Sequence, residues 1–391
     1  MAYASTINVK SWTRLDGVDL LRGLAIFFVL MNHVNMRLLF AHVPYTRGLP
    51  QQLVHTLVWN GQRGVQIFFA VSGFLITSTT LRRWGRLSQV SIRDFYVLRF
   101  ARIAPLLLLL LAILSGLHLA GVTNFVVSPK TGGLGRALVA ALTFHVNVLE
   151  ARRGYLPANW DILWSLSVEE MFYLFFPLAC RTLARAKLFI PLLLLFVVLG
   201  PVGRTVFSRG NEVWQEYSYL GGMDAIAIGC LTAIWLNARR ISKRCAKVFA
   251  ILGTAILIFL LGLSTYAERL GLGRSGLDMS LLAFGSALLI VALAETQWQS
   301  PRVLRPLLKI GRRSYEVYLT HMFVVFALFG IFVKAGSPLL AVPILFLAVI
   351  LLAGLLGEMV AKFYSEPINR MLRKHWGDGQ DKLGSVIEST P

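Results

Sequence analysis

The run Val18-Asp19-Leu20-Leu21-Arg22-Gly23-Leu24-Ala25-Ile26-Phe27-Phe28-Val29-Leu30-Met31-Asn32-His33-Val34 decides how this chain is to be read. It is apolar enough to enter a bilayer, yet it carries an arginine and a histidine. No small-residue cleavage site follows it, so it reads as a retained helix and not as a signal peptide. Outward from it, comparable runs recur at 64–81, 103–120, 164–180, 188–203, 217–236, 248–266, 277–295, 314–333 and 339–361. Each approaches the roughly 20 residues that cross a hydrocarbon core. A weaker run lies at 135–149. The expected fold is therefore all-α, a polytopic transmembrane bundle of about ten spanning helices, with a re-entrant or interfacial helix at 135–149. Composition agrees: of 391 residues, 56% are hydrophobic and 15% charged, which excludes an ordinary soluble domain.

The formal charge of +20 would suggest nucleic acid in a soluble protein, but here it is explained by helix ends. With ten crossings and a cytoplasmic N-terminus, the Lys and Arg residues fall about two to one on the cytoplasmic side. Making 135–149 a crossing would move Arg239 to Lys247 and the Arg302 to Arg313 cluster outside. The topology expected is thus ten spans with both termini cytoplasmic, no nucleic-acid partner, and a long external segment at 121–163 able to cover a cavity. Cys180, Cys230 and Cys245 have no metal-ligand spacing and suggest no disulfide framework. Residues 377–391 read as a disordered cytoplasmic tail.

Chemistry must come from polar groups that lipid would otherwise reject. Arg22 and His33 are eleven positions apart, close to three turns, and share one helix face with a separation of about 16 Å. Arg22 can snorkel to the interface or guide a substrate; His33 can be a satisfied polar group or a general base near neutral pH. In Trp164-Ser165-Leu166-Ser167-Val168-Glu169-Glu170-Met171-Phe172-Tyr173, two carboxylates open an apolar helix. They suit the helix dipole, and Glu169 could instead orient a histidine. Ser314, Tyr318 and His321 line one face of another helix, so His321 is either packed against a hydroxyl or catalytic. Arg99 and Arg102 could clamp phosphates or serve as a positive-inside anchor. No metal site and no nucleotide loop is expected from the motifs present.

Taken in order, these strings resemble a known family. Arg22-x10-His33 within the stretch beginning Leu15-Asp16-Gly17, the run Val65 to Ile76, Arg99-x-x-Arg102, Trp164 to Leu174, Asp224-Ala225, Ser314 to His321 and Tyr364-Ser365-Glu366-Pro367 are similar to acyltransferase family 3, the integral membrane O-acyltransferases of bacterial surface polysaccharides. The resemblance covers almost the whole chain, with residues 1–376 as the membrane acyltransferase domain. The chain departs at Met223, where similar proteins often carry a basic residue before the aspartate. From this length, the extracytoplasmic hydrolase-like domain that some relatives append is not expected.

The resemblance implies a bacterial plasma (inner) membrane enzyme moving an acetyl or other short acyl group from cytoplasmic acyl-CoA to a carbohydrate hydroxyl, as in surface polysaccharide, lipopolysaccharide or a glycoconjugate. Acetyl-CoA or another acyl-CoA is then the donor substrate. Partners would be the acceptor glycan, the bilayer and polysaccharide-biosynthesis proteins. His33, Glu169 and His321 would be catalytic, with Arg22, Arg99 and Arg102 binding the donor. His33 would act as base or itself carry the acyl group. A rival reading is a proton-coupled exporter or flippase of a glycolipid, using His33, Glu169 and His321 as a relay; a third is an inactive scaffold.

Overall fold

The computed structural model describes residues 15–376; the expected tail at 377–391 lies outside them. The described residues form helices joined by short connections. In chain order these are α1 (Asp16–Phe40), α2 (Gln51–Val58), α3 (Gly61–Trp84), α4 (Ile92–Leu119), α5 (Gly133–Leu142), α6 (Val146–Arg153), α7 (Leu163–Leu183), α8 (Phe189–Arg204) and α9 (Glu212–Tyr217). They continue with α10 (Tyr219–Ala238), α11 (Lys243–Leu257), α12 (Ser264–Arg269), α13 (Leu277–Glu295), α14 (Arg305–Arg312), α15 (Ser314–Lys334), α16 (Val342–Val360) and α17 (Glu366–Trp376).

Among the described residues, nine helical stretches are long and apolar enough to cross a membrane. The chain is a polytopic helical bundle. The run expected at 188–203 is α8, whose 16 residues span about 24 Å and fall short of a full hydrocarbon core. The weak run at 135–149 breaks into α5 and α6 at Thr143–His145, where Phe144 has a positive φ of 56°. At ten residues, α5 reaches only about 15 Å.

Small residues set the closest helix pairs, as expected where lipid removes the hydrophobic drive and packing decides association. A Cβ on Gly73 would collide with the Ile226 carbonyl of α10, and one on Gly229 with the Ala70 carbonyl of α3. Gly23 and Gly311 bring α1 and α14 together in the same reciprocal way.

Ion pairs fasten the end where α1, α4 and α15 begin. Arg312 bonds Asp16 at 3.2 Å and Asp19 at 3.1 Å, and Arg313 bonds Glu358 at 2.8 Å and also Glu366. Tyr364 donates to the Pro105 carbonyl of α4 at 3.1 Å. The Tyr364 to Pro367 string thus ties the last helices to α4 and α15. Asp224 meets Arg204 at 2.7 Å, and Arg204 also donates to the Gly276 carbonyl and to Ser280. The basic partner absent at Met223 therefore comes from α8, where it joins α8, α10 and α13.

Candidate active site

Two contacts fix the frame. Arg22 donates through Nε and Nη2 to Ser314 Oγ at 3.0 and 2.7 Å, and the rings of His33 and His321 lie 5.0 Å apart. Both pairs join α1 to α15, so the two helices run in the same direction. α7 runs against them. Its Ser165 shares a 2.7 Å hydrogen bond with Tyr318, while Glu169, a turn further along, reaches the arginine level.

The arginine level surrounds a cavity of about 250 Å³ lined by Arg22, Ser72, Arg83, Trp84, Arg99, Arg102, Glu169, Tyr173, Tyr315 and Arg373, among others. Inside it, Arg99 meets Glu170 at 2.8 Å and Glu169 at 3.6 Å, and its guanidinium lies 3.6 Å from the centre of the Tyr173 ring. Tyr173 donates to Glu169 at 2.7 Å, and Ser72 Oγ donates to the same carboxylate oxygen. Arg102 meets the fully buried Glu316 at 3.0 Å. Removing a carboxylate from water is tolerable only with such charge-assisted partners.

Above the cavity, a void of about 30 Å³ continues along α1, lined by Ala25, Ile26, Val29, Phe68, Ser165, Leu166, Glu169, Tyr315 and Tyr318. This is room for about one water. Its α1 lining ends at Val29, one turn before His33.

At the histidine level, His321 is fully buried. Its Nδ1 lies 2.6 Å from the Tyr318 carbonyl, which can only accept, so Nδ1 carries the proton. In the neutral ring Nε2 is then the acceptor, and among the described residues it has no hydrogen-bond partner. His33 is half-buried beside it. Tyr318 also donates to the Ile162 carbonyl at 3.0 Å, and Asn159 donates to the Leu319 carbonyl at 3.0 Å, fixing this turn of α15.

The segment beyond this level carries a second polar cluster. Glu150, fully buried, accepts from the Leu156 amide at 2.9 Å. Burial, with the charge of Asp161 nearby, pushes its carboxyl well above the usual range. Tyr217 donates to Asp161 at 3.3 Å and stacks on Trp164 at 4.0 Å.

The expected residues therefore separate into two levels. His33 and His321 come together. Arg22, Arg99 and Arg102 line one cavity, and Glu169 lies with them, bonded to Arg99, Ser72 and Tyr173 and not to a histidine. Ser72, Tyr173 and Glu316 lie within the quoted strings, but nothing in the spacing marks their partners. Arg83 and Arg373 carry no sequence signal beyond a basic helix end.

A family model described as an acyltransferase domain, Acyl_transf_3, matches residues 15–358. The chain belongs to acyltransferase family 3. Among curated proteins, it is 25% identical over 379 residues to the O-acetyltransferase OatA of Staphylococcus aureus, covering 91% of this chain and 57% of the relative. It is 25% identical over 389 residues to the peptidoglycan O-acetyltransferase OatA of Listeria monocytogenes, covering 91% and 56%. A putative O-acetyltransferase of S. aureus is 26% identical over 183 residues, covering 44% of this chain and 26% of the relative. The chain thus spans little more than half the length of the two OatA proteins. No solved structure matches it.

Proposed function

We propose that this protein is a membrane O-acyltransferase that moves an acetyl or other short acyl group from acyl-CoA to a hydroxyl of a cell-surface carbohydrate. The observation that carries the reading is the placement of two histidines on the same helical stripes as Arg22 and Ser314. An arginine-lined cavity opens toward one membrane face, and a narrow void leads from it to within a turn of His33. This arrangement suits a thioester arriving from one side and an alcohol from the other. Family membership and the O-acetyltransferase relatives support the same class of chemistry.

In the proposed reaction, His33 takes the proton from the acceptor hydroxyl as the oxygen attacks the thioester carbonyl. The tetrahedral intermediate collapses with loss of the CoA thiolate, which takes up that proton. Atoms and charge balance as an ester and a free thiol. General base assistance of this kind is worth about 10²- to 10⁴-fold. His321, held through Nδ1, presents a second basic nitrogen at the same level. The donor enters past Arg99 and Arg102 and extends along the face shared by Arg22, Val29 and His33. We assign the site to the bacterial plasma membrane, with the cavity mouth and both termini in the cytoplasm, a topology in which the short α8 makes the tenth crossing, as the parallel course of α1 and α15 requires.

Mass spectrometry of surface glycans from cells with and without the gene tests this reading. Loss of an acyl mass at a defined sugar position is expected on deletion. Unchanged glycan acylation together with altered glycolipid export would overturn it.

A further inference from the structure

A histidine that acts as general base needs one ring nitrogen free for the incoming proton and the other protonated and held, since an unheld ring turns and its tautomer is not fixed. A carboxylate is the usual holder. Glu169, the carboxylate the sequence offers, lies among the arginines and is bonded there to Arg99 and Tyr173. Arg37, one turn beyond His33 on the same face of α1, can only donate.

The acceptor that does lie beside His33 is another imidazole. The ring centres of His33 and His321 are 5.0 Å apart, with the planes tilted by 42°. His321 uses its Nδ1–H on the Tyr318 carbonyl at 2.6 Å, while its Nε2, in a fully buried ring, has no hydrogen-bond partner among the described residues. A buried acceptor without a donor is unfavourable and calls for one. The turn that carries His321 is held from behind, because Tyr318 donates to the Ile162 carbonyl and Asn159 to the Leu319 carbonyl. His33 is the half-buried ring of the two. Its χ2 is a soft torsion, and at this spacing a turn about it carries a ring nitrogen toward Nε2. Catalytic hydrogen bonds of this kind commonly close only when substrate is bound.

We propose that His321 is the positioning residue of His33: its Nε2 accepts the second N–H of the His33 ring and leaves the other His33 nitrogen free for the proton of the attacking hydroxyl. This deepens the acyl-transfer reading above and rests on it. Burial sets the order of the two rings, the more exposed one meeting substrate and the enclosed one holding it. His33 takes the hydroxyl proton and returns it to the CoA thiolate. His321 neither gains nor loses a proton, because its Nδ1–H ends on a backbone carbonyl that cannot take one.

The test uses the full chain in nanodiscs, acetyl-CoA as donor, and glycan extracted from cells lacking the gene as acceptor, with thermal unfolding recorded for each variant. His321→Asn places an amide near Nδ1, able to bond the Tyr318 carbonyl, and leaves the Nε2 position empty. His321→Gln reaches the Nε2 position with an amide oxygen that accepts a hydrogen bond but takes up no proton at neutral pH. The kcat of His321→Asn should fall about 10²-fold or more, the scale of losing a positioned base. His321→Gln should stay within about ten-fold of wild type, and the KM for acetyl-CoA should stay within about two-fold in both. A purely structural role would not make activity follow the acceptor position. Equal loss of kcat in the two variants would overturn the proposal, because His321 would then have to take the proton or the acyl group itself. Near-normal kcat in His321→Asn would overturn it as well. Wild-type protein that releases no CoA thiol on addition of acceptor would instead refute the acyl-transfer reading, and this assignment with it.

Discussion

Replacing Arg99 by alanine separates two uses of this residue. If Arg99 is a free phosphate ligand, its loss weakens donor binding and leaves the fold intact. The structure places it 2.8 Å from Glu170 and 3.6 Å from Glu169, with those carboxylate side chains only 8% and 10% exposed. Deleting one partner of a buried pair costs about 3–5 kcal/mol, because a charge is left unpaired in a poorly solvated site. The Arg99 side chain is 23% exposed to the cavity, so water reaches the gap and the lower end, about 3 kcal/mol, is the expectation. Glu170→Gln in the Arg99→Ala background should restore stability by about 1–3 kcal/mol, since the orphaned charge goes with it. The assay is equilibrium unfolding of the purified protein and both variants in one mild detergent. An Arg99→Ala protein within about 0.5 kcal/mol of wild type, a shift typical of an unconnected surface site, would refute the pairing argument and return Arg99 to the donor.

Val29→Phe should fill the small void between the two levels. It is expected to lower acyl transfer about 10²-fold or more, the scale of a 1 Å misplacement of reacting groups, while acyl-CoA binding measured by isotope retention stays near normal. Normal turnover would show that the acyl group takes another route. Glu150→Gln should alter stability with pH. A carboxyl whose folded pKa is raised binds more protons in the native than in the unfolded state, so stability falls as pH rises above the unfolded value of about 4.3. The variant should therefore gain thermal stability over wild type at pH 8 and little at pH 5; an equal gain at both would mean that Glu150 is charged in the fold.

The stripe from Arg22 to His33 was readable because eleven residues make nearly three turns, and one helix carries both side chains whatever surrounds it. The helical class and most spans follow from the lengths of the apolar runs for the same local reason. The partners of those side chains were not readable. The two carboxylates expected to open their helix lie in its second turn, because α7 begins at Leu163, and Glu169 does not serve a histidine because α7 runs against α15. Ser165 occupies the Tyr318 level and Glu169 falls a turn lower, among the arginines. Arg204 has the appearance of an external cation, yet it is buried against Asp224 of the next spanning helix, a pairing set by interhelical packing. Arg83 and Arg373, nearly three hundred residues apart, line one cavity only because α17 folds back against α4.

The most direct measurement is acceptor-dependent release of CoA thiol by purified protein, wild type against His33→Ala, with the variant first shown to be inserted and folded. The account predicts thiol release and acyl transfer by wild type only when glycan acceptor is present, and a loss of at least about 10²-fold in the variant. Transfer by His33→Ala at a near-normal rate would contradict it.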